Sequence, residues 1–452
     1  MNTEPSTASA AFLARLEPRA DARQPAWLWE LRRAAFQWVV EHGFPTAKDE
    51  AWKYTRVAPI LAIPFQPAEP GTSRRLSAAS VERLAGVLCD LYDLGGPRLV
   101  FVNGYFAAEL SVLKQLPQGT RVSNLAALLH ADSGADNGAL ETLFAWSFRA
   151  QPQAFSTLNA ALAEDGALVR IPAHTTVEAP IHLVFLSDAG ATPLVSHPRA
   201  LVRMGAGSRA TLVESHVGSG GELYLSNAVS EVVLEAGAVL EHYKVQNEST
   251  TAFHVALLRV RQAQGSRFTA HSSALGAALA RQEVRVVLEG PGAEVALNGL
   301  YLPRGEQHLD NQTCIEHLAP RCTSRELYKG VVDGRGHGVF DGRIIVRPGA
   351  MKTDACQTIK TLLLSESAQA NTQPRLEIFA DDVKCAHGAA VGQLDEQAIF
   401  YLRSRGIPQA AARSLLTYAF VSEMLELIRL APLRTQVERL VVTQLRGVEV
   451  AA

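Results

Sequence analysis

The feature that most constrains the fold of this chain is a repeat in its central region. Four segments share a glycine, a small or acidic turn region and then a strand-like run, and the glycines recur every 27 to 30 residues. Each interval also contains a second strand-like run. Repeats of this length, built of strands and glycine turns, are typical of solenoids and propellers. The repeated glycines are Gly207, Gly237, Gly265 and Gly292.

An ordinary antiparallel sandwich is the alternative interpretation of the same pattern. Its strands also recur at intervals of about 8 to 12 residues. From about residue 166 onwards helical spacing disappears, and strand-like runs follow one another between turn residues. No strand alternates with a helix there, which argues against a doubly wound parallel sheet. The pattern alone therefore leaves a solenoid and a sandwich open.

Helical patterns flank the repeat on both sides. Apolar residues recur every three or four positions after Pro25, and residues 118–165 are rich in Ala and Leu, although Leu99–Val102 between them is strand-like. The segment 409–430 carries two apolar rows, so one side faces either the protein's own core or another protein. We predict a mainly helical domain over 1–165, a β-rich core over 166–390 and a helical domain over 391–452.

Composition and charge narrow the class of partner. The chain has 452 residues, with 43 Lys and Arg against 45 Asp and Glu, so its formal net charge is −2. Nucleic acids and anionic membrane surfaces attract basic proteins, so neither is the expected partner. No apolar run reaches the roughly 18 residues that span a bilayer.

Cysteine usage and the N-terminal segment indicate the compartment. The five cysteines are scattered and odd in number, which does not fit a disulfide framework. The first residues lack the basic start and apolar stretch of a signal peptide. We therefore expect a chain that works in the reducing cytoplasm.

The most suggestive short segment is 381–388, because it places a thiol and an imidazole two residues apart. In an extended strand alternate side chains share a face, so Cys385 and His387 would lie about 6 to 7 Å apart on one surface. This donor pair suits zinc, copper or iron–sulfur species better than magnesium or calcium. Two ligands are too few for a closed tetrahedral site, so further ligands would have to come from elsewhere. On spacing alone, such a pair is more often structural.

Other candidate groups are weaker. His308 and His317 flank Cys314 in a loose cluster. Cys89 lies in an apolar, helix-like run, and buried cysteines there and in strands act as small hydrophobic residues. The glycines of segment 334–338 precede a strand, so a turn is expected there and not a phosphate-binding loop.

Adjacent carboxylates raise the question of a polysaccharide-cleaving solenoid. The pairs are Asp381 with Asp382 and Asp395 with Glu396. Neighbouring side chains on a strand point to opposite faces, which argues against a shared acid and base. The sequence also lacks nucleotide-binding P-loop, metalloprotease HExxH, CxxC and hydrolase GxSxG motifs.

Motifs spread over most of the chain resemble those of one family. The closing motif reads FADDVKCAHGAAVG at 379–392 and FYLRSRGI at 400–407, and an N-terminal motif reads FPTAKDEAWKYT at 44–55. Shorter matches lie at 310–313, 324–329, 338–344, 352–357 and 362–365. In these stretches the chain resembles the SufB/SufD family of iron–sulfur cluster assembly proteins.

Within that family the chain is more similar to the SufD branch than to the SufB branch. SufB members typically carry a cysteine, a small residue, Ala and Pro in the strand after Glu214, where this chain reads SHVGSGGELY. The N-terminal cysteine motif of SufB is also missing, since the first cysteine is Cys89.

The resemblance implies a mainly β fold, a right-handed parallel β-helix with α-helical segments at both ends, in agreement with the repeat. It implies a non-catalytic scaffold subunit and not an enzyme. SufB would bind near the end of the β-helix, and the ABC-type ATPase SufC would dock on the C-terminal helices. His387 and Cys385 would be candidate metal ligands for a nascent iron–sulfur cluster, shared transiently with SufB, with no cofactor bound permanently.

Two alternatives remain beside this function. A secreted-type polysaccharide-processing β-helix enzyme is suggested by architecture alone and is disfavoured by the lack of a signal peptide and of a carboxylate constellation. A purely architectural paralogue would stabilise SufB without contributing a cluster ligand. We also expect that the chain, when alone, can form a homodimer through an uncovered strand edge.

Overall fold

A computed structural model shows a parallel β-helix with helices before and after it. The structure describes residues 7–21, 24–69, 82, 93–130, 144, 146, 148–149, 151–218 and 220–446. Within these residues the strands form one sheet of 11 strands and one of ten. Successive coils pair in parallel and in register, as between Glu231 and Arg259. The predicted solenoid is confirmed, and the antiparallel sandwich is excluded.

The helices of the described chain fall into two groups. The N-terminal group is α1 (Thr7–Leu13), α2 (Ala26–His42), α3 (Ala58–Leu61), α4 (Leu125–Leu129) and α5 (Ala154–Leu162). The C-terminal group is α6 (Glu396–Ser404), α7 (Gln409–Glu426) and α8 (Ala431–Arg446). Two short 3-10 turns span Glu50–Trp52 and Ala108–Leu110. Among these elements, no helix is long and apolar enough to cross a membrane.

Strands alternate between the two sheets along the β-helix, so each coil contributes one strand to each sheet. The first sheet contains β1 (Gln66–Pro67), β4 (Arg121–Asn124), β5 (Ala167–Ile171), β7 (Leu194–Ser196), β8 (Arg199–Met204), β10 (Tyr224–Leu234), β12 (Phe253–Gln262), β14 (Leu279–Leu288), β16 (His308–His317), β18 (His337–Val346) and β20 (Gln369–Ile378). The second contains β2 (Arg98–Val102), β3 (Tyr105–Phe106), β6 (Ile181–Ser187), β9 (Arg209–Gly218), β11 (Val239–Asn247), β13 (Arg267–Ala274), β15 (Glu294–Tyr301), β17 (Thr323–Val332), β19 (Asp354–Leu363) and β21 (Lys384–Gln393).

One corner of each coil depends on a residue with positive φ. The four repeated glycines lie there with φ between 62° and 70°, a conformation that glycine adopts without a steric penalty. The backbone N–H of each donates to a carbonyl of the next coil. His174, Arg321 and Lys352 make the same bond in other coils with φ between 57° and 61°. The structural repeat therefore includes more coils than the four that carry a glycine at this corner.

Side chains that point into the β-helix form its main hydrophobic core. Because alternate residues of a strand face inward, each coil adds a short apolar row that is covered by the rows before and after it. Leu212 and Leu240 illustrate these rows on β9 and β11, and both are buried. The stability of a coil therefore depends on its two neighbours.

The N-terminal region departs from the prediction in one place. Residues 118–165 were expected to be helical, but β4 pairs antiparallel with β5, with Val122 opposite Val169. The free edge of β5 recruits this half-buried segment, because tertiary context outweighs weak local preference. The predicted strand over Leu99–Val102 is confirmed as part of β2, which pairs with β6. The expectation for Cys89 lies outside the described residues.

Candidate functional site

The last coil of the β-helix is its open end. In the described chain β20 pairs only with β18, and β21 pairs only with β19. Residues of both strands are half-buried or exposed along their whole length, unlike those of the preceding coils. Ile378, Phe379 and Val391 expose apolar surface there. This end therefore presents unpaired backbone groups and apolar side chains together.

Cys385 and His387 both lie on β21, at this open end. Their register partners on β19 are Ala355 and Gln357, which are both buried inside the β-helix. The pair therefore continues two neighbouring interior columns of side chains into the last coil, which no further coil of the described residues covers. Cys385 is half-buried against the main core, whereas His387 is exposed. A thiol and an imidazole thus stand side by side where two interior columns reach the surface.

Burial and a backbone group act in opposite directions on the Cys385 thiol. Partial burial raises its pKa, while the backbone of Ala355 favours the thiolate through a hydrogen bond. Covering the open end with another chain would bury the thiol further and raise its pKa, whereas a metal ion or another positive charge would favour the thiolate. A thiol and an imidazole are donor types that soft and borderline metal ions prefer.

Two buried polar residues continue the His387 column inward, Gln357 in the adjacent coil and Glu326 in the coil before it. The Gln357 amide Nε2 donates a hydrogen bond of 2.6 Å to Oε2 of Glu326 in the preceding coil. Burial raises the pKa of Glu326 to about 7, although the hydrogen bond from Gln357 opposes the shift. Sequence reasoning missed both residues as parts of the site. The available signal was their place in the motifs 324–329 and 352–357.

The structure separates the loose cluster around Cys314. His317 faces the interior and lies 3.0 Å from the Ser324 hydroxyl, whereas His308 lies 2.8 Å from the Thr55 hydroxyl near the N-terminal motif. Cys314 faces outward between arginines of neighbouring coils, and burial raises the pKa of its thiol. In the described residues no group of three or more His, Cys, Asp or Glu could hold a metal ion. The structure therefore leaves this cluster without the geometry of a metal site.

The adjacent carboxylates have separate structural roles. Asp381 and Asp382 lie in a bend before β21 and not on a strand. Asp382 forms an ion pair of 2.5 Å with Lys352 at a coil corner. Asp395 caps α6 by accepting a hydrogen bond from the backbone N–H of Gln397. None of these contacts forms the acid and base pair of a glycosidase.

The glycine-rich segment 334–338 is a turn, as the sequence predicts. Gly334 has φ of 63° and the strand β18 begins at His337. Gly334 and Gly336 lie at a corner of the coil, and Gly338 lies in β18.

The C-terminal helices pack on the β-helix with only part of their apolar surface. Val421, Met424 and Leu425 of α7 are buried in a second core shared with the outer face of the β-helix. On the opposite side, Leu415 is 52% exposed, and Phe400 of α6 is 72% exposed. The apolar rows of 409–430 are thus divided between the protein's own core and its surface.

Comparisons with known proteins agree with this architecture. Residues 185–420 match the family model "SUF system FeS cluster assembly, SufBD core domain", and residues 14–183 match the model of the SufBD protein N-terminal region. The chain belongs to the SufB/SufD family.

Relatives place the chain on the SufD-like side of the family. An iron–sulfur cluster assembly SufBD family protein of Synechocystis is 33% identical over 408 residues, covering 88% of this chain and 86% of the relative. The SufD of Escherichia coli is 31% identical and 89% of each chain is covered. The SufD of Bacillus subtilis is 27% identical, with 88% of this chain and 90% of the relative covered. The SufD-like assignment made from the motifs is confirmed.

Proposed function

We propose that this SufD-like chain is a non-catalytic scaffold subunit of an iron–sulfur cluster assembly complex with SufB and the ATPase SufC. The observation that carries the proposal is the position of Cys385 and His387 on the edge strand at the open end of the β-helix. A half-site on a free edge is completed by a partner that pairs with that edge.

The proposed SufB interface is the last coil, β20 with β21. A free strand edge is a template for pairing with another chain, and natural proteins usually cover it. Here the edge is ten residues long on each sheet, and apolar residues accompany it. A second copy of the chain can use the same edge when SufB is absent, which supports a homodimer of the isolated chain.

The cluster is cargo in this proposal and is held only transiently. Cys385 supplies a thiolate and His387 a neutral imidazole, both ligands of iron–sulfur species, and SufB supplies the remaining ligands. A complex that keeps these thiols reduced fits the cytoplasm, and the four cysteines of the described chain are all free.

The proposed SufC surface lies on the C-terminal helices. Phe400, Tyr401 and Leu415 are exposed on α6 and α7, as large apolar residues at docking surfaces are. The helices are anchored to the β-helix through Lys329 of β17, which donates to the Phe420 carbonyl over 2.6 Å. We propose that the N-terminal domain 1–165 and the β-rich core 166–390 hold the SufB surface in place, while 391–452 receives the ATPase.

The decisive experiment replaces His387 by Ala and co-expresses the chain with SufB and SufC. We expect the complex to assemble and its cluster content to fall at least tenfold, since a ligand is lost while the fold is kept. His42→Ala, an exposed histidine on α2, is the control and should leave the cluster content unchanged. Normal cluster content in His387→Ala would refute the role of His387. If Cys385→Ala also leaves the cluster content unchanged, the chain is a purely architectural paralogue.

The docking surface is tested separately with Phe400→Asp. A charge in an apolar contact should weaken SufC binding about tenfold, which corresponds to ~1.4 kcal/mol. The control is Val40→Asp on α2, another partly exposed apolar residue that lies outside the proposed surface. Binding is measured by titrating SufC against the purified chain, and equal affinities of both variants would place the ATPase elsewhere.

A further inference from the structure

A line of polar side chains leads from the open end into the interior of the β-helix. His387, Gln357 and Glu326 are consecutive register partners on β21, β19 and β17, so they form one inward column. Further from the open end, the next residue of the column after Glu326 is Leu297, which is buried and apolar. The polar line therefore begins at the surface and ends two coils inside.

The middle member of this line is held in a defined orientation. The amide nitrogen of Gln357 is bound to Glu326, and both side chains are buried. Gly342 of the opposite sheet leaves room for this amide, since a Cβ there would lie 2.2 Å from Nε2. The amide group therefore cannot turn freely, and its oxygen is directed away from Glu326.

The same amide leaves a buried acceptor without a partner. Oε1 of Gln357 has no hydrogen-bond partner in the structure, and neither has Oε1 of Glu326. A buried polar atom without a partner has lost its hydration without compensation, so such an atom needs an explanation. The next residue along the column from Gln357 is His387, whose ring carries two nitrogen atoms.

We propose that Gln357 is a positioning residue for His387, whose ring N–H donates to Oε1 of Gln357 when the other ring nitrogen binds a metal ion, with Glu326 holding the amide. This inference rests on the proposed role of His387. Metal-bound histidines almost always donate their second N–H to a carbonyl or carboxylate, which fixes the tautomer and the ring plane. Gln357 accepts through its oxygen only because Glu326 occupies its nitrogen.

The test uses the full chain labelled with ¹⁵N-histidine and Zn²⁺ as a closed-shell probe. His387→Ala assigns the His387 signals in long-range ¹H–¹⁵N spectra. In the wild type we expect one tautomer on Zn²⁺ binding, with the free N–H protected from exchange with water. In Gln357→Met, which keeps the side-chain volume, we expect a mixture of tautomers and a Zn²⁺ dissociation constant about tenfold higher.

Three further variants separate positioning from general stability. Gln262→Met removes another buried glutamine that also has an unpaired Oε1, and it should leave the His387 signals unchanged. Glu326→Gln retains an acceptor for the Gln357 amide and should behave as the wild type. Glu326→Leu removes that acceptor and should behave as Gln357→Met, which keeps the test available if Gln357→Met fails to fold.

The possible failures are distinguishable. If Zn²⁺ affinity and tautomer are the same in the wild type and Gln357→Met, the positioning role is wrong even when His387→Ala abolishes cluster assembly. If the wild type and His387→Ala bind Zn²⁺ equally, the inference also fails. The proposed function is judged independently, by the cluster content of the complex with SufB.

Discussion

The two ends of the β-helix are finished in different ways. At the first end the short strands β3 and β4 pair antiparallel with β2 and β5, and helices cover the adjoining surface. At the other end the last coil exposes ten residues of strand on each sheet, with no strand of the described chain beyond it. A solenoid that closes one edge and leaves the other open indicates where a partner belongs.

The polar side chains inside the β-helix also differ between the early coils and the open end. In the early coils Glu214 is buried and accepts a hydrogen bond from Ser230, and it lies 3.1 Å from His242. Burial alone would raise the pKa of Glu214, but His242 and His216 beside it hold that pKa well below its usual range. At the open end Glu326 and Gln357 form one bond and leave two oxygens unpaired. Unpaired buried polar atoms also occur in earlier coils, as at Gln262, but at the open end such an atom lies next to an exposed histidine in the same column.

The largest expected effect concerns the open edge itself. The N–H of Lys384 donates to the carbonyl of Thr353, just before β19, so by alternation the N–H of Ala389 points away from β19. Ala389→Pro removes an outward donor and blocks edge pairing with little loss within the β-helix. We expect SufB to be lost from the co-purified complex.

Ala389→Gly is the matched control for the edge variant. It alters the same position but keeps the N–H, so SufB should still co-purify. Retention of SufB by the proline variant would show that pairing through β21 is not required.

Glu214→Leu tests the closed interior. Removing one partner of a buried charged group leaves its neighbours unpaired and should lower the free energy of unfolding by about 3 to 5 kcal/mol. Chemical denaturation measures the change. Glu306→Leu, in an exposed ion pair with Arg335, is the control and should cost less than about 1 kcal/mol. Similar losses in both variants would mean that the Glu214 network contributes no more than a surface pair.

The pKa of Glu326 is raised, whereas that of Glu214 is lowered, so the contribution of Glu326 to stability should fall as the pH rises. Its pKa is raised from 4.5 to about 7 in the folded state, so the unfolded state binds fewer protons between these values. The contribution of Glu326 to stability is therefore complete below about pH 4.5 and declines until about pH 7. Over that interval, the wild type should lose roughly 3 kcal/mol relative to Glu326→Gln. Urea denaturation of both proteins from pH 5 to pH 8 measures the difference, and parallel curves would contradict it.

The smallest expected effect concerns the coil corners. Arg321 adopts φ of 58°, which costs an ordinary residue about 1 to 2 kcal/mol, whereas glycine loses about 0.5 to 1 kcal/mol through its greater freedom when unfolded. Arg321→Gly should therefore stabilise the chain by about 0.5 kcal/mol, measured by thermal unfolding. Gly292→Ala, at the same corner of the preceding coil, should destabilise it. A loss of stability in Arg321→Gly would show that the side chain matters more than the backbone.

The sequence predicts the coils well because their corners favour a recognisable residue. Glycines at four corners reveal the repeat, but the corners at Arg321 and Lys352 carry no such signal, although their backbone conformation is the same. β4 is also missed, since its pairing is decided by a free edge and not by its own pattern.

For the candidate site, the sequence predicts the thiol and the imidazole but not what lies beneath them. Cys385 and His387 are two residues apart, so strand alternation is sufficient to place them together. Glu326 and Gln357 are 61 and 30 residues before His387 in the chain and meet it only through the coil spacing. Contacts between coils depend on exact coil lengths, which local patterns do not specify.

The open last coil also affects how long the chain survives without its partner. In a solenoid each coil is held mainly by its nearest neighbours, so the final coil, with a neighbour on one side only, opens at the lowest free energy. Proteases act on segments that open in this way. An unassembled copy is therefore most vulnerable at β20 and β21, and binding of a partner there protects it. On the proposed function, binding of SufB to this edge would also slow proteolysis of the chain.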